Sequence, residues 1–263
     1  MEVTPLRQLT DLSGKTAIIT GGAMGIGYGI AYRLAEAGAS VVVADMNKTA
    51  AGEAVAKLVA KGWNAIAVSV DVSDAAQVEK MVEAATTAYG SVDILVNNAG
   101  IYPEKLVLDA TKEDFEKVIH TNLMGAFFAA KAAARQMITQ DRGGKIINIT
   151  SIDALHPSSP GLAFYDASKH GLWGFTKNLA LELAPHRIWV NAIAPGGVNT
   201  PGTGADSMTE EMQEALTPLI AKIPMRRMGE SDEIGKVALF LASDLSSYMT
   251  GSQVVVDGGV LLA

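Results

Sequence analysis

The chain has 263 residues, 49% apolar and 19% charged, a composition that suits one folded domain with a large buried core. Its net charge of −7 offers nothing to a nucleic acid, and the absence of cysteine excludes disulfides, thiolate metal sites and a cysteine nucleophile. The first fifteen residues hold no apolar secretory segment and no uncharged run is long enough to span a membrane, so a cytoplasmic protein without membrane or metal partners is expected.

Seven runs rich in Val and Ile predict strands at 15–20, 40–45, 64–71, 92–98, 145–150, 188–194 and 252–259. They are nearly continuous in apolar residues, the pattern of strands buried on both faces of a parallel sheet. Helical patterns at 29–38, 50–62 and 75–90 alternate with them, ending at Gly38, Gly62 and Gly90 as expected C-terminal caps. This alternation predicts a doubly wound, Rossmann-type seven-stranded parallel sheet with helices on both faces, one α/β domain over 1–263. The rhythm breaks at 195–227, rich in Pro, Gly, Thr and Met, which is read either as a lid over a site or as a surface excursion.

The turn after the first strand reads TGGAMGIG, residues 20–27. Gly21, Gly25 and Gly27, with Met24 and Ile26 between them, fall where strand must turn into helix, and glycine lets a ligand approach the backbone closely. The helix N-terminus beyond offers N–H groups and a positive dipole end to a pyrophosphate. The G-x-x-x-G-x-G spacing departs from the commoner G-x-G-x-x-G dinucleotide fingerprint. Asp45 ends the second strand, where a carboxylate can bind ribose hydroxyls and repel a 2′-phosphate, or else cap the next helix. Met24 precedes Gly25, and Met46 and Asn47 follow Asp45. No cation stands ready for a 2′-phosphate, so NAD is expected over NADP. Asp71 ends the third strand and suits either an adenine amino group, with Val72 packing on the ring, or the cap of the helix near Asp74. At the end of the fourth strand, Asn97, Asn98, Ala99 and Gly100 combine small residues for close cofactor approach with amides that can tie strand ends together.

In FYDASK, residues 164–169, Tyr165 and Lys169 lie one helical turn apart on one face. A phenol titrates near 10, so bringing it to working pH requires roughly 3–4 kcal/mol of differential stabilisation, which a cation in a partly dry site can supply. The pair alone is equally at home on a surface. Ser151 ends the fifth strand, where doubly wound folds place ligand groups, and its hydroxyl suits a substrate oxygen beside Tyr165. Asn122 falls inside a helical pattern, where a polar amide either disturbs the helix to hold a water or makes a structural hydrogen bond.

Taken in order, TGGAMGIG, NNAG, Asn122, ITS with Ser151, YDASK and NAIAPGGVNT (191–200) resemble the short-chain dehydrogenase/reductase family over about residues 13–260. The resemblance implies Tyr165 as general acid/base, Lys169 lowering its pKa and binding the nicotinamide ribose, Ser151 orienting the substrate oxygen, and Asn122 supporting a water-mediated proton relay. It also implies that Pro195, Gly196 and Thr200 border the nicotinamide, with the Ile193 or Val198 backbone near the carboxamide, and that the protein is a homotetramer, its apolar tail VVVDGGVLLA at a subunit contact. The implied reaction interconverts a secondary alcohol and a ketone, or a lactol and a lactone, with NAD. One departure stands out. Ser151 and Tyr165 are fourteen positions apart, one more than is usual, and the extra residue falls in DALHPSSPG (153–161), a loop expected to line the substrate pocket. Asp153 and His156 there, with Asn199 and Thr203 from the lid, either suit a sugar or polyol or face solvent. The segments 224–244 and 250–259 also resemble the 3-oxoacyl-thioester reductase branch. That branch usually takes NADPH, which Asp45 disfavours. A hydroxysteroid substrate, an NAD(H)-binding scaffold without turnover, and an epimerase or dehydratase of the longer, extended branch are the further alternatives.

Overall fold

The computed structural model describes residues 3–201, 217–218 and 220–263. After the short helix α1 (Leu6–Leu9), β1 (Thr16–Thr20) runs through the middle of the molecule, and all five of its residues are buried. Val and Ile suit this position because a central parallel strand has no solvent face. The elements β2 (Ser40–Asp45), β3 (Ala65–Ser69), β4 (Ile94–Asn97), β5 (Gly144–Ile149), β6 (Ile188–Pro195) and β9 (Gln253–Val256) complete a seven-stranded parallel sheet in the order β3-β2-β1-β4-β5-β6-β9. Successive residues serve opposite faces: Ile19, Val41, Val43 and Val96 join one apolar core, while Ile18, Val42 and Leu95 join the other. The helices α2 (Gly25–Glu36), α3 (Lys48–Val59) and α8 (Ser231–Ala242) cover the first face; α4 (Ala75–Tyr89), α6 (Gly125–Gln140) and α7 (Ala163–Leu183) cover the second. The expected doubly wound architecture is therefore what the chain adopts.

The strand order reverses between β1 and β4, so the chain leaves β1 in one direction and returns to build outward in the other. A crevice opens at the carboxyl ends of strands at such a switch point. Register aligns those ends: Thr20 pairs with Ala44, Asn97 with Asn148 and Ile149 with Ile193. Every residue expected to touch a reacting group sits on this edge or on a helix that begins there.

The expected strand limits need trimming at three places. The third strand stops at Ser69, because Asp71 turns the chain by accepting hydrogen bonds from both the N–H and the hydroxyl of Ser73. The fourth is confined to Ile94–Asn97. The last stops at Val256, since Gly258 and Gly259 take positive φ while Asp257 caps the N–H groups of Gly259 and Leu261. A further parallel pair, β7 (Val198–Asn199) with β8 (Gly229–Glu230), had no signal in the sequence; it brackets the irregular region, whose residues 202–216 and 219 lie outside the described ones. Gly38, Gly62 and Gly90 do lie just past helices with positive φ. Among the described residues no helix is long and apolar enough to cross a membrane, and no cluster of three or more His, Asp or Glu is placed to hold a metal.

Candidate active site

The loop after β1 is shaped by close backbone approach. A β-carbon on Gly27 would lie 2.0 Å from the Gly21 carbonyl oxygen, so the loop can close onto the first turn of α2 only with glycine there. Met24 occupies the N-cap of α2 and contributes no side-chain cap, which leaves the first N–H groups of the helix to a ligand. Asn98 braces the loop from β4: its Nδ2 donates to the carbonyls of Thr20 (3.0 Å) and Gly21 (2.9 Å). The N–H groups of Asn98 and Ala99 both donate to Thr20 Oγ1. Asn97 Nδ2 donates to Asn148 Oδ1 (2.9 Å), so the amides do tie strand ends together. A glycine cradle with an uncapped helix end behind it fits the diphosphate of a dinucleotide.

Asp45 is not a helix cap. Asn47 caps α3, its side chain accepting from the Ala50 N–H, while Asp45 accepts from the N–H of Ala23 in the loop (3.1 Å) and of Asn47 (2.9 Å). Its carboxylate is thereby held against the phosphate loop, with Met46 exposed next to it. Asp71 is not a cap either, since Asp74 fills that place for α4. The expectation that the Val72 side chain packs on an adenine is not met: it is 7% exposed and turned inward against Gly125.

Asn122 lies in a π-helical turn, His120–Met124, between α5 (Lys112–Ile119) and α6. The helix is therefore disturbed where the sequence has its misplaced amide. The side chain is 1% exposed and fully engaged: Oδ1 accepts from the Ile101 N–H (2.8 Å), and Nδ2 donates to the Ile101 carbonyl (2.9 Å) and Ser168 Oγ (3.0 Å). Ser168 in turn donates to the Tyr165 carbonyl (2.7 Å), so the amide fastens the NNAG loop to the helix bearing the Tyr–Lys pair. A β-carbon on Gly100 would sit 3.3 Å from Asn122 Oδ1 and 3.6 Å from Lys169 Nζ.

Lys169 is 4% exposed, donates to the Ile149 carbonyl (2.7 Å) and stands 5.5 Å from the centroid of the Tyr165 ring. Burial pulls its ammonium down to about 8, against a partial restoring effect of Asp153. The Tyr165 hydroxyl is pushed well above the ordinary phenol range, first by burial, with Asp153, Tyr102 and Asp166 adding to the rise and a hydrogen bond with Ser151 opposing it. Lys169 and a bound nicotinamide cation are the charges expected to lower the phenol, and burial acts against that lowering. Burial thus disfavours the charged form of both groups, and only a positive charge or a hydrogen-bond donor beside the phenol works against it.

These groups meet in a cavity of about 540 Å³. Met24, Gly25, Ile26, Gly27, Asn98 and Gly100 line one part, Ser151, Asp153, His156, Tyr165 and Lys169 another, and Pro195, Gly196, Val198 and Thr200 a third. Gly21, Asp45, Met46, Asp71, Val72, Ala99 and Asn122 are outside its lining. Asn199, expected at the substrate, faces away: its Nδ2 donates to Glu230 Oε1 (2.8 Å). Thr203 and most of the expected lid lie outside the described residues. The loop between Ser151 and Tyr165 begins with a tight turn at Ile152–Ala154, and Asp153 Oδ1 accepts from the Ser158 N–H (2.9 Å) to close it. The sequence reading misses an apolar wall of Tyr102, Leu162, Ile223, Met228, Val260 and Leu261. Val260 and Leu261 belong to the tail read as a subunit contact; Asp257, followed by two glycines, is the signal that the chain turns back there.

The chain is similar to known proteins along nearly its whole length. A family profile described as Enoyl-(acyl carrier protein) reductase matches residues 21–261. The chain is 40% identical over 255 residues to an L-rhamnose 1-dehydrogenase (NAD(P)(+)) of Azotobacter vinelandii, covering 95% of this chain and 98% of that one. It is 39% identical over 256 residues to a 3-oxoacyl-[acyl-carrier-protein] reductase of Synechocystis sp., covering 97% and 100%. A crystal structure of a short-chain type dehydrogenase/reductase from Mycobacterium marinum superposes with a TM-score of 0.92 at 38% identity, over 97% of this chain and 99% of that one. The chain belongs to the short-chain dehydrogenase/reductase family, as an oxidoreductase acting on CH–OH groups.

Proposed function

We propose that the protein is an NAD-dependent dehydrogenase that oxidises a secondary alcohol of a sugar or polyol to the ketone, or a lactol to the lactone, and runs in reverse. The observation that carries this reading is the convergence of Ser151, Tyr165 and Lys169 with the glycine loop on one cavity. Gly21, Gly25, Gly27 and the first turn of α2 would hold the diphosphate, Asp45 the adenosine ribose, and Lys169 the nicotinamide ribose. NAD, when bound, supplies the hydride acceptor and a positive charge. Tyr165 accepts the substrate hydroxyl proton through its phenolate oxygen, and Ser151 fixes the substrate oxygen beside it. Lys169 gives one of its three N–H donors to the Ile149 carbonyl, which aims the ammonium from α7 toward β5. Asn122 holds the π-helical turn open next to Lys169, the place for a relay of protons to solvent. Asp153 and His156 line the substrate part of the cavity, and the polarity of that wall favours a hydroxylated substrate. Residues 195–227 are proposed as a lid, because Thr200, Pro201, Lys222 and Ile223 reach the cavity from both ends of that segment. A homotetramer is proposed from the resemblance and from the exposed Val255 and Leu262 near the C-terminus.

A second reading, reduction of a 3-oxoacyl thioester, is favoured by the apolar wall of Ile223, Met228, Val260 and Leu261. One screen separates the two. Protein is mixed with NAD or NADP and a panel containing L-rhamnose, other sugars, polyols and hydroxy acids, and separately with NADH or NADPH and a 3-oxoacyl thioester, following absorbance of the reduced nicotinamide. Reduction of NAD by a sugar or polyol is the expected result. Activity confined to the thioester supports the second reading. Binding of NADH with no turnover of anything supports a scaffold.

A further inference from the structure

Among the described residues three charged side chains line the cavity: Asp153, Lys169 and Lys222. The first two are engaged at its reacting end. Asp153 is 6% exposed and shares a hydrogen bond with the Ser151 hydroxyl (2.8 Å), and Lys169 donates to the Ile149 carbonyl (2.7 Å). Lys222 has no such commitment. Among the described residues its ammonium forms no ion pair and no hydrogen bond, and the side chain is exposed.

The segment that carries Lys222 is anchored on both sides of its cations. Ile223 is 3% exposed, Met228 is 8% exposed, and both line the same cavity. Between them Arg227 makes a two-pronged ion pair with Glu233 (2.7 and 2.8 Å). Arg226 Nη1 donates to the Ala221 carbonyl, in the helical turn that ends at Lys222. A lysine in a last helical turn often serves such carbonyls, and here an arginine already does. Lys222 therefore brings a positive charge and three N–H donors to the cavity with nothing to spend them on. On a chain of net charge −7 this is a local reversal of sign, and the apolar wall beside it concentrates the field of the ammonium.

The two ends of the cavity sort a charged substrate. An anion next to the reacting oxygen would meet the Asp153 carboxylate and be repelled, whereas an anion at the Lys222 end would be attracted. We propose that Lys222 is a specificity-determining residue that binds an anionic group remote from the reacting alcohol, so that the substrate is a hydroxy acid, such as a sugar acid, in preference to the neutral polyol. The proposal rests on the alcohol-dehydrogenase reading and names the substrate class of that site.

The test uses matched pairs that differ only in a carboxylate against a CH2OH group: D-gluconate and D-glucitol, L-lactate and propane-1,2-diol, 3-hydroxybutyrate and butane-1,3-diol. Reduction of NAD by each is followed for wild type, Lys222→Gln and Lys222→Glu, at low salt and at about 1 M salt, and NADH binding confirms that each variant is folded. In wild type at low salt the acid of at least one pair is expected to be favoured in kcat/KM. Lys222→Gln should lower that acid-to-polyol ratio by about fivefold, the scale of one exposed ion pair. High salt should shrink the ratio in wild type and leave it nearly unchanged in Lys222→Gln, and Lys222→Glu should lower it further than Lys222→Gln does. A neutral member preferred in every pair, or a ratio that neither variant moves, makes Lys222 a solvated surface charge and overturns the proposal while the dehydrogenase reading stands. Turnover of no member of any pair by a wild type that binds NADH overturns the reading and the proposal together.

Discussion

Replacing Lys169 by Met removes a buried ammonium while keeping a chain of similar length. The folded protein holds this group at about 8 against an ordinary 10.5, so the native state binds its proton less tightly than the unfolded chain does. The native state thus carries a penalty below pH 8 of about 3 kcal/mol, taken as 1.36 kcal/mol per pKa unit. The penalty fades as pH rises from 8 through 10.5, because there the unfolded chain binds more protons and stability rises with pH. Between pH 7 and pH 10 this group alone should add about 2 kcal/mol to wild-type stability. Lys169→Met should lack that increment, while Lys145, likewise held near 8 by burial, contributes equally to both proteins and cancels. The Ile149 carbonyl loses its donor in the variant, which costs about 1–3 kcal/mol at every pH and leaves the slope untouched. Urea unfolding at pH 7, 8.5 and 10, with wild type and variant side by side, reads the difference in slope. Identical pH slopes would refute the claim that Lys169 is held desolvated. So would a wild type that loses stability relative to the variant across this range.

Two further substitutions test the cofactor site. Asp45→Ala removes the carboxylate held against the loop by Ala23 and should narrow the preference for NAD over NADP by about tenfold, read from kcat/KM with each; an unchanged ratio returns Asp45 to a purely structural role. Gly27→Ala puts a methyl group 2.0 Å from the Gly21 carbonyl oxygen, so the loop must shift. Overpacking of this kind costs about 1–3 kcal/mol, and NADH titration should show affinity down by at least about tenfold; affinity equal to wild type would mean that the cradle is not the diphosphate site.

Much of this site is legible in the residues themselves because its parts sit at strand ends. Thr20, Asp45, Asn97 and Ser151 each close a run of apolar residues, and a parallel sheet puts all such ends on one edge. Tyr165 and Lys169 are legible for a different reason: helical spacing alone puts them on one face. The electrostatics are not legible. Spacing suggests that the ammonium lowers the phenol, but burial disfavours the charged form of both groups, and burial is not written in the spacing. Val72 shows a related limit, since an apolar residue at a strand end can face a ligand or the core, and here Gly125 makes room for it in the core. The apolar wall escapes because Tyr102, Ile223 and Leu261 come from distant segments that only the closed fold brings together. The engagement of Ser151 by Asp153 escapes because a carboxylate two residues from a serine is common in turns and gains meaning only once both are buried.

The central claim is that Tyr165, held between Ser151 and Lys169, exchanges the proton of a substrate alcohol. Its most direct test is reduction of NAD by the alcohol panel, run on wild type and Tyr165→Phe in parallel, with NADH affinity measured for both. The account predicts turnover of at least one sugar or polyol by wild type, a loss of about 10³-fold or more in the variant, and NADH affinity within about twofold of wild type. Comparable turnover by Tyr165→Phe would contradict it.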